Sequence, residues 1–87
     1  MTMPTEVKID LEAHAGYVRY RTLPFGQHVA RTIRVGANIA VDLDASEAVL
    51  GIELLAFDAD VLEAARQVAA SRGLAFPRDL AGAVAAA

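Results

Sequence analysis

Three carboxylates, Asp42, Asp44 and Glu53, come closest to a chemical constellation in this sequence. Hard divalent cations favour oxygen-rich clusters of this kind, and a matched pair of acids can do acid–base work. If residues 39–43 and 50–54 are neighbouring strands, Asp42 and Glu53 share an outward face and Asp44 continues it toward a turn. The same carboxylates would also serve simply to solvate the wet face of a one-sided sheet and to flank a turn. Arg34, Ala40 and Glu53 fall in one row of that face, and Ala40 is small enough for Arg34 to reach over it. Such a pair is either a surface contact worth about 0–1 kcal/mol or an acid beside an arginine clamp. Neither a nucleophile nor a second matched acid accompanies it. A small divalent-metal-dependent or acid–base enzyme on these carboxylates is therefore the alternative reading, and no catalytic residue is assigned.

Other chemistries find still less support. With no cysteine, thiolate zinc sites, disulfides and cysteine nucleophiles are excluded. His14 and His28, the two histidines, both fall in expected turns and read as exposed turn residues rather than metal ligands. The glycines stand singly at 16, 26, 36, 51, 73 and 82, so no phosphate-cradling loop is present, and neither Ser46 nor Ser71 sits in a nucleophile elbow. No cofactor and no metal site is implied.

Charge is distributed unevenly along the chain. Residues 13–34 carry Arg19, Arg21, Arg31 and Arg34 and no acid, whereas residues 42–63 carry seven acids and no base. Folding can turn this segregation into cross-strand pairs. It can also leave a bipolar surface that recognises a charged partner protein, for which Arg19, Arg21, Arg34, Asp42, Asp44 and Glu53 form the candidate face. Tyr17 beside Arg19 and Arg21 offers one aromatic for stacking on a base, but a net charge of −3 argues against nucleic acid as a partner.

These side chains must be held by elements, and the hydrophobic period shows which. Eighty-seven residues, 22 of them Val, Ile or Leu, make one domain with one core. Apolar and polar residues alternate through 7–11, 39–43 and 50–54, and residues 17–22 and 29–35 are aromatic and β-branched enough for two more strands. The spacing predicts an α+β fold: a five-stranded antiparallel meander over about residues 7–55, then a helix over about 60–72 and a short helical tail. Matching apolar faces sets the registers. A turn at 12–15 places Ile9 opposite Val18 and Val7 opposite Tyr20. A Gly36-Ala37-Asn38 turn places Val35 opposite Ile39 and Ile33 opposite Val41, and a turn at 45–48 places Leu43 opposite Leu50 and Val41 opposite Ile52. After Phe57 the period is helical, with Asp60 as N-cap and Glu63 completing a capping box. Val61, Leu62, Ala65, Val68 and Ala69 form the apolar stripe; Gly73 and Leu74 suit a Schellman end. Phe76-Pro77 opens the weaker tail, an Ala-rich helix over 79–87.

The segment from Ile9 through Tyr20, with Arg31-Thr32-Ile33-Arg34-Val35 and Val41-Asp42-Leu43-Asp44 through Gly51-Ile52-Glu53-Leu54-Leu55, resembles a small bacterial family, the YuzE-like domain of unknown function 2283. The resemblance covers about residues 7–57 and leaves 58–87 as a helical C-terminal extension. Two positions depart from the family pattern: His14 stands where an Asp is usual and Glu47 where a turn Gly is usual. The resemblance implies a small α+β or mainly-β domain without an established activity, and proteins similar to it sit beside toxin-like neighbours in bacterial operons.

The first residues have neither the basic nor the apolar region of a signal peptide, and no uncharged apolar run is long enough to span a bilayer. The expectation is a cytoplasmic, non-membrane protein. One helix covers about half of a five-stranded sheet, so the leftover apolar area predicts a homodimer. The leading functional expectation is a non-catalytic interaction module with a small protein partner, an antitoxin-like role being its special case.

Overall fold

Alternation becomes strand at five places in the computed structural model, which describes residues 1–78 and 80. The strands are β1 (Glu6–Asp10), β2 (Ala15–Arg19), β3 (Arg31–Gly36), β4 (Ile39–Leu43) and β5 (Val49–Leu54), followed by helix α1 (Ala59–Ser71). They form one antiparallel sheet in the order β1-β2-β5-β4-β3, the α+β arrangement expected.

The order departs from a simple meander at one point. A hairpin (β1-β2) and a three-strand meander (β3-β4-β5) meet along β2 and β5, so β3 lies at the far edge instead of beside β2. Residues 20–22 and 29–30, expected as strand, belong instead to the connection that makes this possible. Pro24 has no N–H to give a sheet, and Gly26 takes a φ of 85°. The connection is tied to the end of the meander: Tyr20 and Arg21 N–H donate to the Leu50 carbonyl at 2.8 and 3.2 Å, and Ala30 N–H donates to that of Leu43 at 2.9 Å.

Registers follow the apolar face, with shifts set by the turns. Val7 stands opposite Val18 and Ile9 opposite Gly16, two residues from the expected pairing. The turn occupies 11–14 rather than 12–15 because Asp10 ends the strand early: its Oδ1 accepts the Ala13 N–H at 3.0 Å. An even-numbered slip keeps every side chain on its face. Ile33 pairs with Val41 and Val41 with Ile52, as expected. Gly36 takes the place of Val35 opposite Ile39, and Val49 that of Leu50 opposite Leu43, each beside a register irregularity.

The core lies between this face and α1. Val18, Val41, Ile52 and Leu54 are fully buried, and Val61, Leu62, Ala65 and Ala69 of α1 join them, with Phe57 and Leu74, in one cluster. The helix begins at Ala59 because the N-cap is Asp58, two residues before the expected Asp60; its Oδ1 accepts the Val61 N–H at 2.9 Å. Asp60 lies in the first turn, and Glu63 pairs with Arg66 and Gln67 instead of closing a capping box. The expected Schellman end forms: Leu74 N–H donates to Ala69 O at 2.9 Å and Gly73 N–H to Ala70 O at 3.2 Å, with Gly73 at φ 72°. Beyond it, Leu74 bridges Thr2, and the Tyr20 hydroxyl donates to Ala75 O at 2.8 Å. The helical tail expected over 79–87 lies outside the described residues except for Leu80, which is buried in the core. Among the described residues no helix is long and apolar enough to cross a membrane.

Candidate interaction site

Two rows of side chains cross the sheet on the face away from α1. In strand order the first is Lys8, Tyr17, Glu53, Ala40, Arg34, and the second is Glu6, Arg19, Gly51, Asp42, Thr32. They meet at Gly51, where the Tyr17 ring lies so close that a methyl group there would collide with it. That close approach lets Tyr17 reach over β5 and donate to Asp42 Oδ2 at 2.9 Å, while Thr32 donates to Asp42 Oδ1 at 2.6 Å. The Arg19 guanidinium sits 5.4 Å from the Tyr17 ring centre, and its Nε lies 3.5 Å from Glu6. Burial first, then the hydrogen bond to Asp42 and its charge, keep the Tyr17 phenol protonated well above its ordinary range.

A second group of charges gathers at the end of the sheet. Asp44 Oδ1 accepts from Ser46 N–H at 2.8 Å, Ser46 Oγ at 2.7 Å and Ala48 N–H at 3.0 Å. Its Oδ2 lies 2.8 Å from Arg21. Led by the Ser46 hydroxyl and the Ala48 N–H, these donors hold its carboxyl below the usual range. Beside it Arg31 reaches Glu47 at 2.8 Å. Glu47 itself takes a φ of 67° and His14 a φ of 53°, both left-handed conformations.

The six residues of the expected face thus divide. Arg19, Arg34, Asp42 and Glu53 lie in the two outer rows, and Arg21 and Asp44 pair with each other at the sheet end. Arg34 and Glu53 share the expected row, but Arg34 turns to the Ala37 carbonyl at 2.6 Å. The acid-free and base-free stretches meet as Arg21–Asp44 and Arg31–Glu47, and Arg19 meets Glu6 on β1. Asp42 and Asp44 each satisfy a separate set of donors, and among the described residues no group of three His, Asp or Glu side chains converges to hold a metal ion. Both histidines are exposed outside the strands.

Sequence reasoning overlooked the role of Gly51, although a lone glycine inside a strand signals a close approach. It also placed the uncovered apolar area only by arithmetic. The structure locates much of it on β1, where Val7 is 38% and Ile9 39% exposed on the face that carries fully buried Val18. No family model, curated protein or solved structure matches this chain.

Proposed function

We propose that this chain is a cytoplasmic, non-catalytic interaction module, a homodimer that binds a small protein partner. The observation that carries the reading is the unfinished apolar face of β1: α1 covers the centre of the sheet and leaves Val7, Ile9 and the adjoining Leu11 in water. Edge strands with exposed apolar side chains and free main-chain groups are surfaces on which other chains add. The paired charges of the outer face supply a polar rim, which favours selectivity and encounter rate over affinity. The resemblance of residues 7–57 to the YuzE-like family makes an antitoxin-like operon companion the special case to test first. The test is capture of the tagged full chain from its host's lysate, identification of what co-purifies by mass, and reconstitution from purified components. A small protein that reconstitutes at fixed stoichiometry supports the reading; a chain that reconstitutes with nothing it captures defeats the partner half of it.

A further inference from the structure

Resting on the homodimer reading above, we infer that β1 is the self-association edge: two copies pair antiparallel along β1 about a two-fold axis at Ile9, joining their sheets edge to edge. Among the described residues the sheet has two edge strands, and only one of them is suited to self-addition. β3 carries Arg31 and Arg34 with no acid, and a bulge at Val35 interrupts its pairing with β4; like charges and bulges are what blunt an edge. β1 has Glu6, Lys8 and Asp10 on one face and Val7 and Ile9 on the other, with every residue exposed. Its apolar face is short of neighbours, because the β2 residue opposite Ile9 is Gly16, which has no side chain.

Charge excludes one register, and apolar matching chooses between the other two. Residues facing each other across a two-fold antiparallel pair must lie on the same face, so the axis can fall at Val7, Lys8 or Ile9. An axis at Lys8 opposes Lys8 to Lys8 and Glu6 to Asp10, like against like. An axis at Val7 opposes Lys8 to Glu6, which already serves Arg19, and brings Asp10 against Pro4, which has no N–H. An axis at Ile9 opposes Lys8 to Asp10 twice, Ile9 to Ile9, and Val7 to Leu11 at the start of the turn; Glu6 then faces Glu12, which lies in the turn beyond the paired strand. Asp10 uses Oδ1 on the Ala13 N–H and turns its other oxygen to Lys8 of the second copy. Val7, Ile9 and Leu11, the exposed apolar side chains of this edge, are then covered by the same three of the other copy.

The native chain has no cysteine, so single substitutions read the register directly. Opposed residues of an antiparallel pair have Cα atoms about 4.5–5.5 Å apart, inside the roughly 4.4–6.8 Å that a disulfide spans. Under mild oxidation of the full chain, Ile9→Cys is expected to form a covalent dimer at least tenfold faster than Val7→Cys or Lys8→Cys. Faster linkage at position 7 or 8 overturns the inference. Independently, Ile9→Asp sets two like charges on the axis and is expected to halve the mass seen by light scattering, with the circular dichroism of the folded chain retained. A monomeric native chain, or a folded Ile9→Asp variant that stays dimeric, also overturns it. A monomer that still binds its captured partner rejects this edge and leaves the partner half of the reading intact; a dimer cross-linked at Ile9 that binds no partner does the reverse.

Discussion

Tyr17 crosses β5 because Gly51 offers no side chain to stop it, and this one glycine decides how the outer face is wired. Gly51→Ala forces the ring aside and separates its hydroxyl from Asp42. The expected loss is about 1–3 kcal/mol, the usual range for an added methyl where there is no room. Denaturant unfolding measures it, and Gly51→Ala combined with Tyr17→Ala recovers the part due to the collision. Glu47 presents the opposite case. At φ 67° an L side chain costs roughly 1–2 kcal/mol, and glycine gives back only about 0.5–1 kcal/mol through its freer unfolded chain. The Arg31–Glu47 pair is exposed on both sides and adds little. Glu47→Gly is therefore expected to stabilise the fold by about 0.5–1 kcal/mol, seen as a higher denaturant midpoint at an unchanged slope.

At the scale of elements, the two ends of α1 are fastened by different chemistry. Asp58 satisfies an N–H that would otherwise be orphaned, whereas Asp60 lies in the first turn and acts through the helix dipole. Asp58→Ala is expected to cost about 1 kcal/mol, and Asp60→Ala about 0.3 kcal/mol. Equal effects in thermal melts would show that the cap has been misassigned. In the sequence, Glu63 three residues after Asp60 pointed to Asp60 as the cap. Glu63 is drawn instead to Arg66 one turn on, where a bidentate contact is available. The β1-β2 turn is a similar case: apolar matching placed Ile9 opposite Val18, and the hydrogen bond from the Ala13 N–H to Asp10 Oδ1 ends the strand early, shifting the register by two with the same faces kept.

At the scale of the whole molecule, Tyr20 joins the first half of the sheet to the segment beyond α1. Its hydroxyl bonds Ala75, 55 residues away, and burial pushes its phenol up to about 12 from an ordinary 10.0. Below pH 10 the phenol is protonated in both folded and unfolded chains, so its contribution is complete. Between about 10 and 12 the unfolded chain releases a proton that the folded chain keeps, so stability falls as pH rises. Tyr17, shifted in the same direction, adds to that alkaline loss. Tyr20→Phe is expected to flatten the decline in unfolding free energy over this window, and an unchanged slope would sink the assignment.

The sequence by itself determined what depends on period and on nearest neighbours. Alternation through Val7–Leu11, Ile39–Leu43 and Leu50–Leu54 marked strands with one apolar face, and the stripe from Val61 to Ala69 marked the helix and its buried side. Gly73 and Leu74 ended that helix as their types require. Asp42, Arg34 and Glu53 were legible as outer-face residues for the same reason, since parity alone sends them there. The tertiary structure decided what depends on residues far apart in the chain. It put β5 beside β2, because an irregular connection around Pro24 and Gly26 carries the chain to the far edge of the sheet. It brought the arginine-rich and acid-rich stretches together as Arg21–Asp44 and Arg31–Glu47. It also left Val7 and Ile9 at an edge that α1 does not cover, because one helix fills only the middle of a five-stranded sheet.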